Sequence, residues 1–134
     1  MKKKIVGIVA SRFNEEYVDA MLKSAVARLK PQVDVVVCRV PGAFEIPLAV
    51  KRMTETHEVE AIIALGLIWQ GETMHAELLA HTVTHALMQV SLDQDTPVIH
   101  QVLTIKTEAE ARTRCMGKKL NRGREAAEAA LAFC

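Results

Sequence analysis

Apolar residues along the chain follow two alternating rhythms. Short runs occur at Lys4 to Ala10 (KIVGIVA), Val33 to Val40, Ala61 to Ile68 (AIIALGLI) and Val98 to Thr104. Runs of this length with little polar alternation predict strands, and the first and third read as buried on both faces. Between the runs, apolar positions recur every three or four residues. Val18, Met21, Leu22, Ala25, Val26 and Leu29 share one face of a helix that starts at the N-cap candidate Asn14 and ends at about Lys30, before Pro31. A second helix spans about Ile46 to Thr56, with Pro47 in its first turn. A third runs from His75 to Leu92, where Leu78, Leu79, Val83, Ala86, Leu87 and Val90 repeat at helical spacing. Two more lie near Thr107 to Met116 and Asn121 to Phe133, with Gly117 at the break.

The predicted order is β-α-β-α-β-α-β-α-α. This alternation implies a parallel four-stranded sheet with helices on both faces, in a single α/β domain over residues 1–134. Crossovers in such sheets are right-handed, and ligands sit beyond the carboxyl ends of the strands. Those ends are Ser11-Arg12-Phe13-Asn14, Pro41 to Glu45, Gln70 to His75, and Leu103-Thr104.

The third of these segments is the richest. Gly66-Leu67-Ile68-Trp69-Gln70-Gly71-Glu72-Thr73-Met74-His75 reads as strand end, small-residue loop and helix start. Gly71 lets the backbone turn, and the Thr73 hydroxyl is placed to cap the helix. Free amides at a helix start favour an anion such as phosphate, and an imidazole there is suited to proton transfer. A capped surface helix with an incidental His fits the same residues, since neither a P-loop nor GxGxxG is present. Phe13 offers a flat face to a planar heterocycle, or serves as a staple onto the following helix. Glu45, in the octapeptide Val40 to Pro47, is an acceptor for sugar hydroxyls, or a favourable charge at a helix start. Arg114 is followed by Lys118, Lys119 and Arg122; one guanidinium of this cluster forks onto a phosphate, or the cluster is ordinary cationic bias at a helix end, and spacing does not choose between them. His81 and His85 stand four apart, with no carboxylate or Cys evident to complete a metal site.

Composition narrows the classes. Half of the 134 residues are hydrophobic, with one Trp, one Tyr and three Phe, so the core is aliphatic. The 17 basic and 16 acidic residues leave a net charge of +1, which argues against a dedicated nucleic-acid binder. No apolar run is long enough to span a membrane, and no signal-peptide core follows Lys2-Lys3-Lys4. Cys38, Cys115 and Cys134 are odd in number and widely spaced, which suggests neither a disulfide framework nor zinc and makes a reduced cytoplasmic setting the default.

Taken together, Ser11-Arg12-Phe13-Asn14, Val40 to Pro47, Gly71 to His75, Leu103-Thr104 and Asn121-Arg122-Gly123 through Glu125-Ala126-Ala127 resemble the lumazine synthase family, in order and over nearly the whole chain. The resemblance implies a three-layer, flavodoxin-like α-β-α sandwich. It also implies a transferase of riboflavin biosynthesis that condenses 5-amino-6-ribitylaminouracil with 3,4-dihydroxy-2-butanone 4-phosphate, without metal or organic cofactor. Phe13 then resembles the aromatic that stacks on the pyrimidine. Ala43, Phe44 and Glu45 match the segment holding the ribityl chain, and Leu67 and Ile68 the backbone around the ring. Gly71, Glu72 and Thr73 match the phosphate loop, Arg114 its arginine, and His75 the proton-shuttling histidine. His100 stands where Phe usually faces the pyrimidine, Arg122 where Lys is common, and Gln70 where Arg is frequent. Ala76-Glu77-Leu78 replaces an aromatic-acid pair. The family implies a homopentamer with active sites between subunits, the fourth strand and the Asn121-Arg122-Gly123 region coming from the neighbour. In some members twelve pentamers form an icosahedral shell, and riboflavin synthase is a further candidate partner. Two other readings share the fold: an archaeal-type riboflavin synthase, which would leave a phosphate site idle, and a non-catalytic flavin- or lumazine-binding protein or shell.

Overall fold

The computed structural model describes residues 3–71 and 73–134. Strands β1 (Ile5–Ser11), β2 (Asp34–Val40), β3 (Val59–Trp69) and β4 (Val98–Ile105) form one sheet, all parallel, in the order β2-β1-β3-β4. Helices α1 (Glu15–Leu29), α2 (Ile46–Thr56), α3 (His75–Gln94), α4 (Glu108–Met116) and α5 (Arg122–Leu131) cover it. The expected three-layer, flavodoxin-like arrangement is what forms.

The layers follow from handedness. The chain steps outward from β1 to β2, then back across to β3 and on to β4. Right-handed crossovers taken in opposite directions put their helices on opposite faces. Accordingly α1, α4 and α5 build one core, and α2 and α3 the other. The apolar run in β3 divides between them with period two. Ala61, Ile63, Leu65 and Leu67 face the first core, while Ile62, Ala64 and Ile68 face the second. That double burial is why the run shows no alternation. The edge strands β2 and β4 carry more half-exposed positions.

Side chains of Thr107 and Asn121 cap α4 and α5 by accepting from the amides of Glu110 and Arg124. Gly123 lets α5 lie against α1, since a Cβ there would meet the Met21 carbonyl oxygen at 2.1 Å. Two local expectations change. A 3-10 turn (Ala43–Glu45) precedes α2, within the strand-end segment Pro41 to Glu45 for which the sequence predicted no helical turn. Met74, not Thr73, is the N-cap of α3, and among the described residues no side chain caps that helix. The turn through Met74 is already helical, so Thr73 sits one residue too early.

Candidate active site

The strand order reverses between β1 and β3, and such a switch point opens a crevice at the strand ends. Here Phe13, Asn14, Ala43, Leu67, Ile68, Trp69, His75, Ala76 and Leu79 line a mostly apolar cavity of about 270 Å³. Asn14 holds its two sides together. Its Nδ2 donates to the Leu67 carbonyl at 2.6 Å, and its Oδ1 accepts from Trp69 Nε1 at 3.0 Å. Asn14 is the N-cap of α1 but makes no capping bond, because its side chain is spent across the crevice. Its φ of 61° lies in the left-handed region, which Asn tolerates better than most residues. Trp69 meets Tyr17 edge to face, with centroids 5.8 Å apart at 78°.

His75 opens α3 at the rim of this cavity, and Phe13 projects from it with 70% of its surface exposed. Gly71 and Thr73 line an adjoining cavity of about 510 Å³ together with Gln70, Ala76, Glu77 and Lys106. Among the described residues no side chain caps the first amides of α3, and amides at a helix start favour an anion. Glu72, assigned with them from the sequence, lies outside the described residues.

The remaining predicted residues are distributed differently. Ala43 lines the first cavity, but Phe44 is 64% exposed and Glu45 turns back, accepting from the Gly42 amide at 2.8 Å. His100 faces α3 from β4. Its Nε2 lies 2.7 Å from Thr84 Oγ1, and its Nδ1 accepts from the Val102 amide at 3.1 Å. It lines a third cavity with Gln70, Glu77, Ala80, His81, Thr84, Val102 and Thr104. Burial pushes its imidazole below the usual value, partly offset by the ring's interaction with its own backbone. Arg114 and Arg122 sit on α4 and α5, whose helices pack on the opposite face of the sheet, beside Glu110 at 3.9 Å and Glu125 at 3.0 Å. One chain therefore joins Phe13, Ala43, Leu67, Ile68 and His75 at one cavity, with Gly71 and Thr73 next to it. It does not bring Arg114 or Arg122 to them.

Lys106, Thr84 and the partnership of Asn14 with Trp69 escaped the sequence reading. The bridging by Asn14 and Trp69 spans 55 positions, and no local signal marks it. Lys106 and Thr84 lack any motif, although Lys106 follows directly on a strand end, where ligands gather. Burial pushes the Cys115 thiol up to about 11, so it stays protonated and unreactive. Among the described residues, no group of three or more His, Cys, Asp or Glu stands ready to hold a metal, and no helix is long and apolar enough to cross a membrane.

Residues 3–134 match the sequence profile of 6,7-dimethyl-8-ribityllumazine synthase. A protein of that name from Thermococcus gammatolerans is 42% identical over 130 residues, covering 94% of this chain and 82% of that one. Another from Thermus thermophilus is 40% identical over 125 residues, covering 90% and 80%. A third, from Bordetella petrii, is 39% identical over 117 residues, covering 84% and 67%. With the strand-end crevice, its aromatic and its helix-opening imidazole in place, the chain belongs to the 6,7-dimethyl-8-ribityllumazine synthase family.

Proposed function

We propose that this chain forms 6,7-dimethyl-8-ribityllumazine from 5-amino-6-ribitylaminouracil and 3,4-dihydroxy-2-butanone 4-phosphate, as a homo-oligomer whose active site spans two copies. The observation that carries the reading is the gathering of Phe13, Leu67, Ile68 and His75 around one crevice, beside the Gly71 and Thr73 loop. The roles are those that the family resemblance implies, and the placement of these residues is compatible with them. The pyrimidine lies against Phe13 and along the backbone of Leu67 and Ile68, and the phosphate lies at the loop and the α3 amides. His75 stands where the two substrates meet. Its imidazole accepts a proton as the amine adds to the ketone, and returns one as water leaves. The same group assists loss of phosphate. Holding amine and ketone together supplies much of the rate, and the acid–base group adds to it.

The need for a second copy rests on what one chain leaves out. Its cavity gathers Phe13 and His75, while His100, Arg114 and Arg122 are not among the residues lining it. A neighbour presenting its β4 edge and the start of its α5 supplies His100 and the Arg122 guanidinium. The outer face of α3 supports such association. Met74, Leu78, Met88 and Leu92 are all more than half exposed. With His81 and His85 they occupy positions 74, 78, 81, 85, 88 and 92, the alternating four-three spacing of a helix seam. A pentamer, alone or as the unit of a shell, is the assembly we favour. The three unpaired cysteines suit a reduced cytoplasmic setting.

The test is to mix purified protein with both substrates and follow lumazine and phosphate together against the uncatalysed background. Equal release well above background is the expected result. Binding of the pyrimidine with no phosphate release would instead make the protein a carrier.

A further inference from the structure

We infer that Thr84 is a positioning residue: with the Val102 amide it locks His100 as the neutral Nε2–H tautomer, so that the imidazole meets a neighbouring copy's pyrimidine with its flat face alone. The functional half of this inference rests on the reading above, and the tautomer does not.

Ile62 donates to the Pro97 carbonyl at 2.9 Å and Gln70 to the Ile105 carbonyl at 2.8 Å. Odd-numbered residues of β4 therefore direct their backbone groups at β3, and the Val102 amide points out from the open edge. An edge amide with no strand partner needs an acceptor, and His100 Nδ1 provides it at 3.1 Å. An amide can only donate, so Nδ1 carries a lone pair. The proton of the neutral ring is then on Nε2, from which it is donated to Thr84 Oγ1 at 2.7 Å. Both nitrogens are thus satisfied in the ring plane by this chain itself. What remains for a ligand is the π face, and the ring behaves as a small flat aromatic.

Adding a proton would place it on Nδ1, directly against the Val102 N–H. Burial opposes the charge as well. Among the described residues, the other titratable groups lining the cavity are Glu77 and His81 on α3, and Gln70, just past the end of β3, is neutral. The helices α4 and α5 lie on the far side of the sheet and face none of these.

The first measurement is long-range ¹⁵N–¹H NMR of the imidazoles in the whole protein, with H100F assigning the signal. At pH 7.5 wild type is expected to show His100 as the Nε2–H tautomer. T84V should give an averaged tautomer and T84S the wild-type pattern. In turnover, T84V should raise KM for the pyrimidine about three- to tenfold, the loss of one hydrogen bond. The KM for the butanone phosphate and kcat should stay put, and T84S should restore the wild-type value. Because burial holds His100 below the ordinary imidazole value, acidification well below about pH 6.5 should weaken pyrimidine binding more in wild type than in H100F. An Nδ1–H tautomer in wild type, or T84V matching wild type in tautomer and KM, overturns the inference. The expected tautomer in a protein that makes no product leaves the lock standing and removes the synthase reading instead.

Discussion

Asn14 shows how one side chain serves a distant strand at the expense of its own helix. Its amide spans the crevice to Leu67 and Trp69, at 2.6 and 3.0 Å. Asn14→Ala removes both bonds and strands a half-buried indole N–H. We expect a loss of about 1–3 kcal/mol in urea unfolding. Because Trp69 is the single Trp, its fluorescence should shift in the folded protein. Unchanged emission with unchanged stability would mean the bridge contributes nothing. At His75 the expectation concerns rate. His75→Ala should slow turnover by about a hundredfold and leave both KM values near wild type, because positioning by Phe13 and the loop survives. Complete loss of turnover with intact folding and binding would assign the imidazole more than proton transfer. Phe13 and His75 could be picked out from the sequence because each stands just past a strand end. The Asn14 bridge could not, since its partners lie more than 50 positions away.

Among the elements, β3 is the most legible. Eight consecutive buried residues need two covered faces, and a central parallel strand is the structure that supplies them. The helix α3 is legible only in part. Its inward stripe contains Val83 and Leu87, but the Leu78 that continues the same apolar periodicity points to solvent. Both stripes obey helical spacing, so periodicity finds the helix and cannot say which face the sheet takes. The outward stripe gives a prediction. Met88→Glu combined with Leu92→Glu should shift the protein to smaller species in sedimentation, with little change in helix content. The change places charges in an apolar seam and touches no buried residue. Unaltered mass would exclude this face from the assembly.

The whole molecule joins two cores across one sheet, and its stability carries a pH signature from the open β4 edge. His100 is held below its usual value by burial. In the unfolded chain it titrates near about 6.5. Above that pH neither state binds the proton, and the group is silent. As pH falls through about 6.5 the unfolded chain takes the proton first, so the folded state loses stability. Urea midpoints of wild type should therefore drop between pH 7.5 and 5.5 by more than those of H100F. Parallel curves would show that His100 is not buried enough to matter. The number, type and order of the main strands and helices, the aliphatic core and the loops at the strand ends are all determined by the sequence itself. Each depends on the spacing of apolar residues or on turn residues within a few positions, and such local patterns survive without knowledge of the rest. The tertiary structure alone decides that loops after β1 and β3 share a crevice, that Arg114 and Arg122 lie behind the sheet, and that His100 is clasped by Thr84 and an edge amide. Those outcomes depend on crossover hand and strand register, which bring together residues that no spacing in the sequence relates.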